Sequence, residues 1–233
     1  MTNTKHLIIA LFTLLFASGS TLLAQSEVEA PNYKSLNKSI RDSKSPLYYP
    51  RLLDRFMAND TTLLLEEYRA LYYGFPAQED YNPYRVSPYA LKLKEFPVTD
   101  SVSTVACDSI VKYGLKALDD FPFDIRVMNL LIYGYQCAHD EAQAQVWSVK
   151  MRGIIDAILS SGDGEKESSP FFVINPAHEY DIINRFGLSA TDSKTEGHFD
   201  YITVGDNKYG VKGYYFNIAP ILDVYHRKFE DTK

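Results

Sequence analysis

Phe171-Phe172-Val173-Ile174-Asn175-Pro176 is where the chain changes character. Four consecutive apolar residues suit a short buried strand, and Asn-Pro directly after them reads as a helix N-cap followed by a proline in the first turn. The helix opened there should run to Gly187, a C-cap residue. Downstream, Phe199 to Val204 and Tyr209 to Ile218 are two β-prone runs around Gly205-Asp206-Asn207-Lys208, which predicts a hairpin. Pro220 then opens an amphipathic terminal helix with Ile221, Leu222, Val224, Tyr225 and Phe229. The order strand, helix, hairpin, helix predicts one small antiparallel sheet packed on something larger, because a lone hairpin is marginal in water.

Upstream of Gly162 the spacing is helical. Leu52, Leu53 and Phe56 mark one helix in Tyr49 to Met57. Leu64, Leu65, Tyr68, Leu71 and Tyr72 mark the next, with Asp60 placed to cap it and Gly74 to end it. Residues 75 to 98 carry Pro76, Pro83, Pro88 and Pro97 among Tyr81, Tyr84 and Tyr89, and read as an ordered loop laid over the helices. Residues 101 to 119 and 125 to 138 form two helices folded back at Phe121-Pro122, the second capped by Asp124. A third starts near Asp140 and stops at Gly162. The folded-back pair resembles a tetratricopeptide helical hairpin, but with one unit where a solenoid needs about three, a bundle is expected. The fold class is therefore α+β: a signal peptide over 1–24, a flexible leader over 25–45, a helical region over 46–162 and a small α+β region over 163–233 packed on it as one unit.

The first residues read as an export signal: Lys5 and His6, an apolar run from Leu7 to Phe16, then small and polar residues to a cleavage position after Ala24. The run is shorter than the roughly 20 residues a bilayer span needs, and no Cys follows it to take a lipid anchor. The expected location is periplasmic or secreted, with no membrane insertion after cleavage. Without Lys5, 23 basic against 30 acidic residues leave a net charge of −7. That balance argues against nucleic acid, which needs a basic footprint to displace counterions. Cys107 and Cys137 each lie fifteen residues from Pro122, hence at one level of an antiparallel pair. They are either a disulfide or two buried thiols.

Several stretches together carry a family resemblance: Tyr68 to Phe75, Ser161-Gly162-Asp163-Gly164 leading to Pro170 to Ile174, Glu179-Tyr180-Asp181, and Tyr209 to Asn217. With them the chain resembles domain-of-unknown-function family 4919, exported bacterial proteins, over nearly its whole length after the signal. The resemblance implies export and a single unit. It implies no activity and no catalytic residues.

Four features of the sequence bear on chemistry. His178, Glu179 and Asp181 open the helix after Pro176, with Asp163 and Glu165 on the loop before it, and a His beside carboxylates suits proton transfer. Against that, acids are favoured in any first helical turn, and no second histidine follows at the spacing of a zinc-binding helix, so no metal is expected. Ser161 to Glu165 lacks the alternating acids of a calcium loop and the Gly-Lys-Ser/Thr of a phosphate loop. No Gly-x-Ser-x-Gly exists for a serine nucleophile, and no cofactor is implied. The density of Tyr81, Tyr84, Tyr89, Tyr209 and Tyr214 suits either half-buried packing or a surface for a peptide, glycan or protein. The expected function is a non-enzymatic exported binding or scaffold protein using that aromatic surface. The alternative is a hydrolase acting through His178 with Glu179 or Asp181.

Overall fold

A computed structural model describes residues 28–96 and 104–227. The signal segment, Pro97, Val102 and Phe229 lie outside the described residues. Helical periodicity becomes helices α1 (Tyr33–Ser39), α2 (Tyr49–Met57), α3 (Leu65–Gly74), α4 (Pro88–Leu93), α5 (Thr104–Asp120), α6 (Ile125–Cys137) and α7 (Glu141–Leu159). The caps explain the boundaries. The Asp124 carboxylate accepts the Val127 N–H at 3.0 Å and Asp140 accepts that of Gln143 at 3.1 Å, each satisfying a donor that a helix start leaves open.

Three segments differ from expectation. The leader contains α1, because Asn32 caps it through the Ser35 N–H and Tyr33, Leu36 and Ile40 pack on the core behind it. Asp60 does not cap the next helix. Its carboxylate closes a turn on Thr62 at 2.9 and 2.6 Å, and α3 starts later, where Glu67 reaches back to the Leu64 N–H at 2.8 Å. The proline-rich stretch is ordered but holds a 3-10 turn at Phe75–Ala77 and the whole of α4, whose Pro88 occupies the one helical position that tolerates proline well.

Helices α5 and α6 lie antiparallel. Gly114 faces Leu131 and Gly134 faces Ile110, and one helix turn further out Cys107 is joined to Cys137, with Cα atoms 5.8 Å apart. The matched levels that the sequence suggested thus become a disulfide between the start of α5 and the end of α6. Helix α7 packs on α6 and on α3, and α1 and α2 also pack on α3.

The remainder is β1 (Phe171–Phe172), α8 (Pro176–Arg185), β2 (Ala190–Glu196), β3 (Phe199–Val204), β4 (Gly213–Asn217) and α9 (Ala219–Tyr225). The expected hairpin is β3 and β4, antiparallel with Tyr201 opposite Tyr215, although β4 begins four residues later than the aromatic run suggests. The sheet is mixed rather than purely antiparallel: its order is β1-β4-β3-β2, and β1 joins β4 in parallel, Phe171 beside Phe216. Strand β2 has no counterpart in the sequence reading. Nearly all its residues are exposed, so an edge strand of Thr, Asp, Ser and Lys shows no apolar alternation to detect. Gly197, at φ 60°, makes the tight turn from β2 to β3. Ile202, Val204 and Phe216 form the inner face, on which α8 lies.

Candidate functional site

The three polar residues that open α8 separate in space. His178 is 1% exposed, and its ring is stacked on Phe121. Its Nε2 donates to the Phe123 carbonyl oxygen at 3.1 Å, which leaves Nδ1 to accept the Tyr72 hydroxyl at 2.7 Å. The same hydroxyl oxygen accepts the Ile174 N–H at 3.3 Å. Both imidazole nitrogens are therefore occupied, and burial holds the ring neutral, its pKa lowered to about 3. Asp181 turns the other way, to the Arg126 Nε at 2.8 Å. Among the described residues no hydrogen bond joins His178 to Glu179 or Asp181.

Glu179 points at the sheet. It is 2% exposed, and burial raises its pKa to about 9, with the charge of Asp200 and a hydrogen bond to that residue adding to the effect. Glu179 Oε1 and Asp200 Oδ1 are both buried without an N–H or hydroxyl donor. A proton carried by Glu179 supplies the missing donor for a hydrogen bond to Asp200 between α8 and β3. The signal for Asp200 was present in the alternation of β3: positions 200, 202 and 204 share the inner face, and an acid stands in a row with Ile202 and Val204. In the helical region Lys150 is buried likewise. Its ammonium lies 3.7 Å from the Trp147 ring centroid and 4.3 Å from that of Phe56, and donates to Asn59 Oδ1 at 2.9 Å.

The five candidate tyrosines do not form one surface. Tyr81 is buried and donates to the Ile174 carbonyl at 2.6 Å. Tyr89 stacks on Tyr113 beneath Lys116, Tyr214 packs on Phe171 and Phe186, and Tyr209 is exposed on the loop between β3 and β4. Tyr84 alone of the five lines a cleft of about 610 Å³. Asp163 and Glu165 remain on their loop, where Asp163 accepts the Glu165 N–H and the Ser169 hydroxyl.

The cleft lies where α4 and the loop before it meet the first turns of α6 and α8. Its apolar wall comes from Ala90, Leu93 and Phe96 on one side and Val127 and Leu130 on the other. Arg85 and Lys94 supply positive charge, Arg126 is already paired with Asp181, and the one carboxylate in the lining is that of Asp124, whose pKa burial raises. Sequence reading missed this place because its residues come from three separated segments, none with a motif. Among the described residues no group of three His, Cys, Asp or Glu side chains is placed to hold a metal, and no helix is long and apolar enough to cross a membrane.

Fold and site together define an α+β protein with a partly apolar, cationic cleft and with His178 and Glu179 buried away from it. A family model described as a domain of unknown function (DUF4919) matches residues 34–227, and the chain belongs to that family. No curated protein and no solved structure matches it.

Proposed function

We propose that this protein is a non-enzymatic binding protein, acting after export, whose ligand is an amphipathic acid seated in the cleft beside Tyr84. The observation that carries this reading is the pairing of an apolar wall with Arg85 and Lys94, two cations that form no ion pair among the described residues, in a hollow of about 610 Å³. That size and composition suit small ligands, and the excess of positive charge inside an acidic chain selects for a negative group on the ligand. A peptide ending in an apolar residue and its carboxylate is one such molecule. The His178 arrangement supports binding over hydrolysis: an imidazole with both nitrogens engaged and a pKa well below neutrality has no free role as a general base.

The test uses 8-anilinonaphthalene-1-sulfonate, an apolar probe with one anionic group. Saturable one-to-one binding with enhanced fluorescence is expected, together with its loss in Ala90→Trp, which fills the cleft from a half-buried position. Circular dichroism of that variant should show the helical content unchanged. Binding that survives Ala90→Trp, or no saturable binding to the folded protein, would remove the proposal.

A further inference from the structure

A second hollow lies on another part of the molecule, between α1 and α9. Tyr33, Asn37 and Arg41 are spaced by four along α1 and the turn that follows it, so they share one face. Ala219, Asp223 and Arg227 have the same spacing along α9 and its continuation. The two rows face each other across a space of about 320 Å³, floored by Tyr73 and Pro76. The space continues past Tyr33 into an adjoining hollow of about 450 Å³ that shares Tyr33, Ala219 and Asp223 and reaches Asn217.

Two features of this groove bear on what it could hold. The Tyr33 hydroxyl is buried with no hydrogen-bond partner, although the ring lines both hollows. An unsatisfied buried hydroxyl is destabilising and calls for a partner. Arg41 and Arg227 are both exposed at the groove, and among the described residues neither forms an ion pair; Arg227 makes only a long hydrogen bond from Nε to the Asp223 carbonyl, 3.3 Å. Two unpaired guanidiniums beside one hollow, in a chain of net charge −6, mark a place for an anion.

The remaining groups narrow the anion. Asp223 in the wall disfavours a compact, multiply charged ion such as phosphate. A carboxylate acceptor, an amide and a phenol together are instead suited to hydroxyl groups. We propose that the groove between α1 and α9 binds a hydroxylated carboxylate of the sugar-acid class, with the carboxylate on Arg41 and Arg227 and the hydroxyls on Tyr33, Asn37 and Asp223. This site is separate from the cleft beside Tyr84 and stands or falls without it.

Titration calorimetry with D-glucuronate, in parallel with D-glucose and inorganic phosphate, tests the assignment. Glucuronate should bind saturably, and at least tenfold more tightly than either of the others. The double substitution Arg41→Ala with Arg227→Ala should weaken it at least tenfold. Tyr33→Phe should weaken it several-fold without lowering the melting temperature, which separates loss of a contact from loss of the fold. Ala90→Trp should leave it unchanged. The proposal is overturned if glucuronate does not bind saturably, if glucose or phosphate binds as tightly, or if neither the double variant nor Tyr33→Phe alters the affinity.

Discussion

In the helical half, Lys150 ends between the faces of Trp147 and Phe56 and donates a hydrogen bond to Asn59; in the sheet half, Glu179 ends against Asp200, a second acid. Both groups are almost wholly buried, and among the described residues neither has an oppositely charged partner. The helical half tolerates its charge by surrounding it with electron-rich ring faces and a left-handed Asn59 at φ 62°. The sheet half tolerates its acid by keeping the proton on it. Burial has thus been met by solvation in one half and by neutralisation in the other, and the two solutions respond oppositely to pH.

The halves differ also in covalent support. The disulfide closes 30 residues of chain between α5 and α6, and the sheet has no equivalent. Loop-closure entropy assigns such a bridge roughly 3–4 kcal/mol. Cys107→Ala with Cys137→Ala should therefore lower the unfolding free energy by about that amount, measured by urea denaturation. Hydrogen exchange should quicken in α5 and α6 while β3 and β4 keep their protection. Equal loss of protection in the strands would show the halves to be one cooperative unit and would erase the contrast.

Buried hydrogen bonds join the two halves. Tyr72 of α3 donates to His178 of α8 and accepts the Ile174 N–H from the end of the β1 segment, so one hydroxyl ties three elements together. Tyr72→Phe leaves a buried ring nitrogen and a buried N–H without partners, and should cost roughly 2–3 kcal/mol. Restoring His178 to solvent is the competing outcome. If Tyr72→Phe is as stable as the parent, the hydroxyl is not the tie, and His178 regains a claim to chemistry.

How far all this could be read beforehand follows from where each signal resides. The caps at Asp124, Asp140 and Asn175 are local, one side chain to a backbone N–H two or three residues on, and they were legible. The level of Cys107 with Cys137 was legible because a helical hairpin makes distance along the chain proportional to height. Strand β2 was not, since an exposed edge strand is held by its neighbour's backbone and shows no pattern of its own. His178 was read as a chemical candidate because its acidic neighbours in sequence are adjacent; its true partners, Tyr72 and Phe123, lie 106 and 55 residues away. The cleft and the α1–α9 groove likewise draw on segments far apart in sequence. Helical spacing did encode each wall of the groove, but only the fold sets the walls against each other.

The contrast between Lys150 and Glu179 yields the smallest effect and the most specific one. Glu179 has a pKa near 9 in the folded state against 4.5 ordinarily, so the folded protein binds the extra proton between those values, and stability falls as pH rises through that window. Lys150, lowered by burial from 10.5 to about 8, releases its proton first when folded, so its contribution makes stability rise with pH between 8 and 10.5. His178, lowered from 6.5 to about 3, makes stability rise between pH 3 and 6.5. From pH 6.5 to 8 only Glu179 of the three acts, and at about 1.4 kcal/mol per pH unit it should cost roughly 2 kcal/mol across that interval. Glu179→Gln keeps a donor toward Asp200 and removes the titration, so its urea midpoint should be flat over the same interval while the parent's declines. A flat parent profile would mean that Glu179 is already ionised at pH 6.5, and that the sheet half, like the helical half, solvates its buried charge rather than neutralising it.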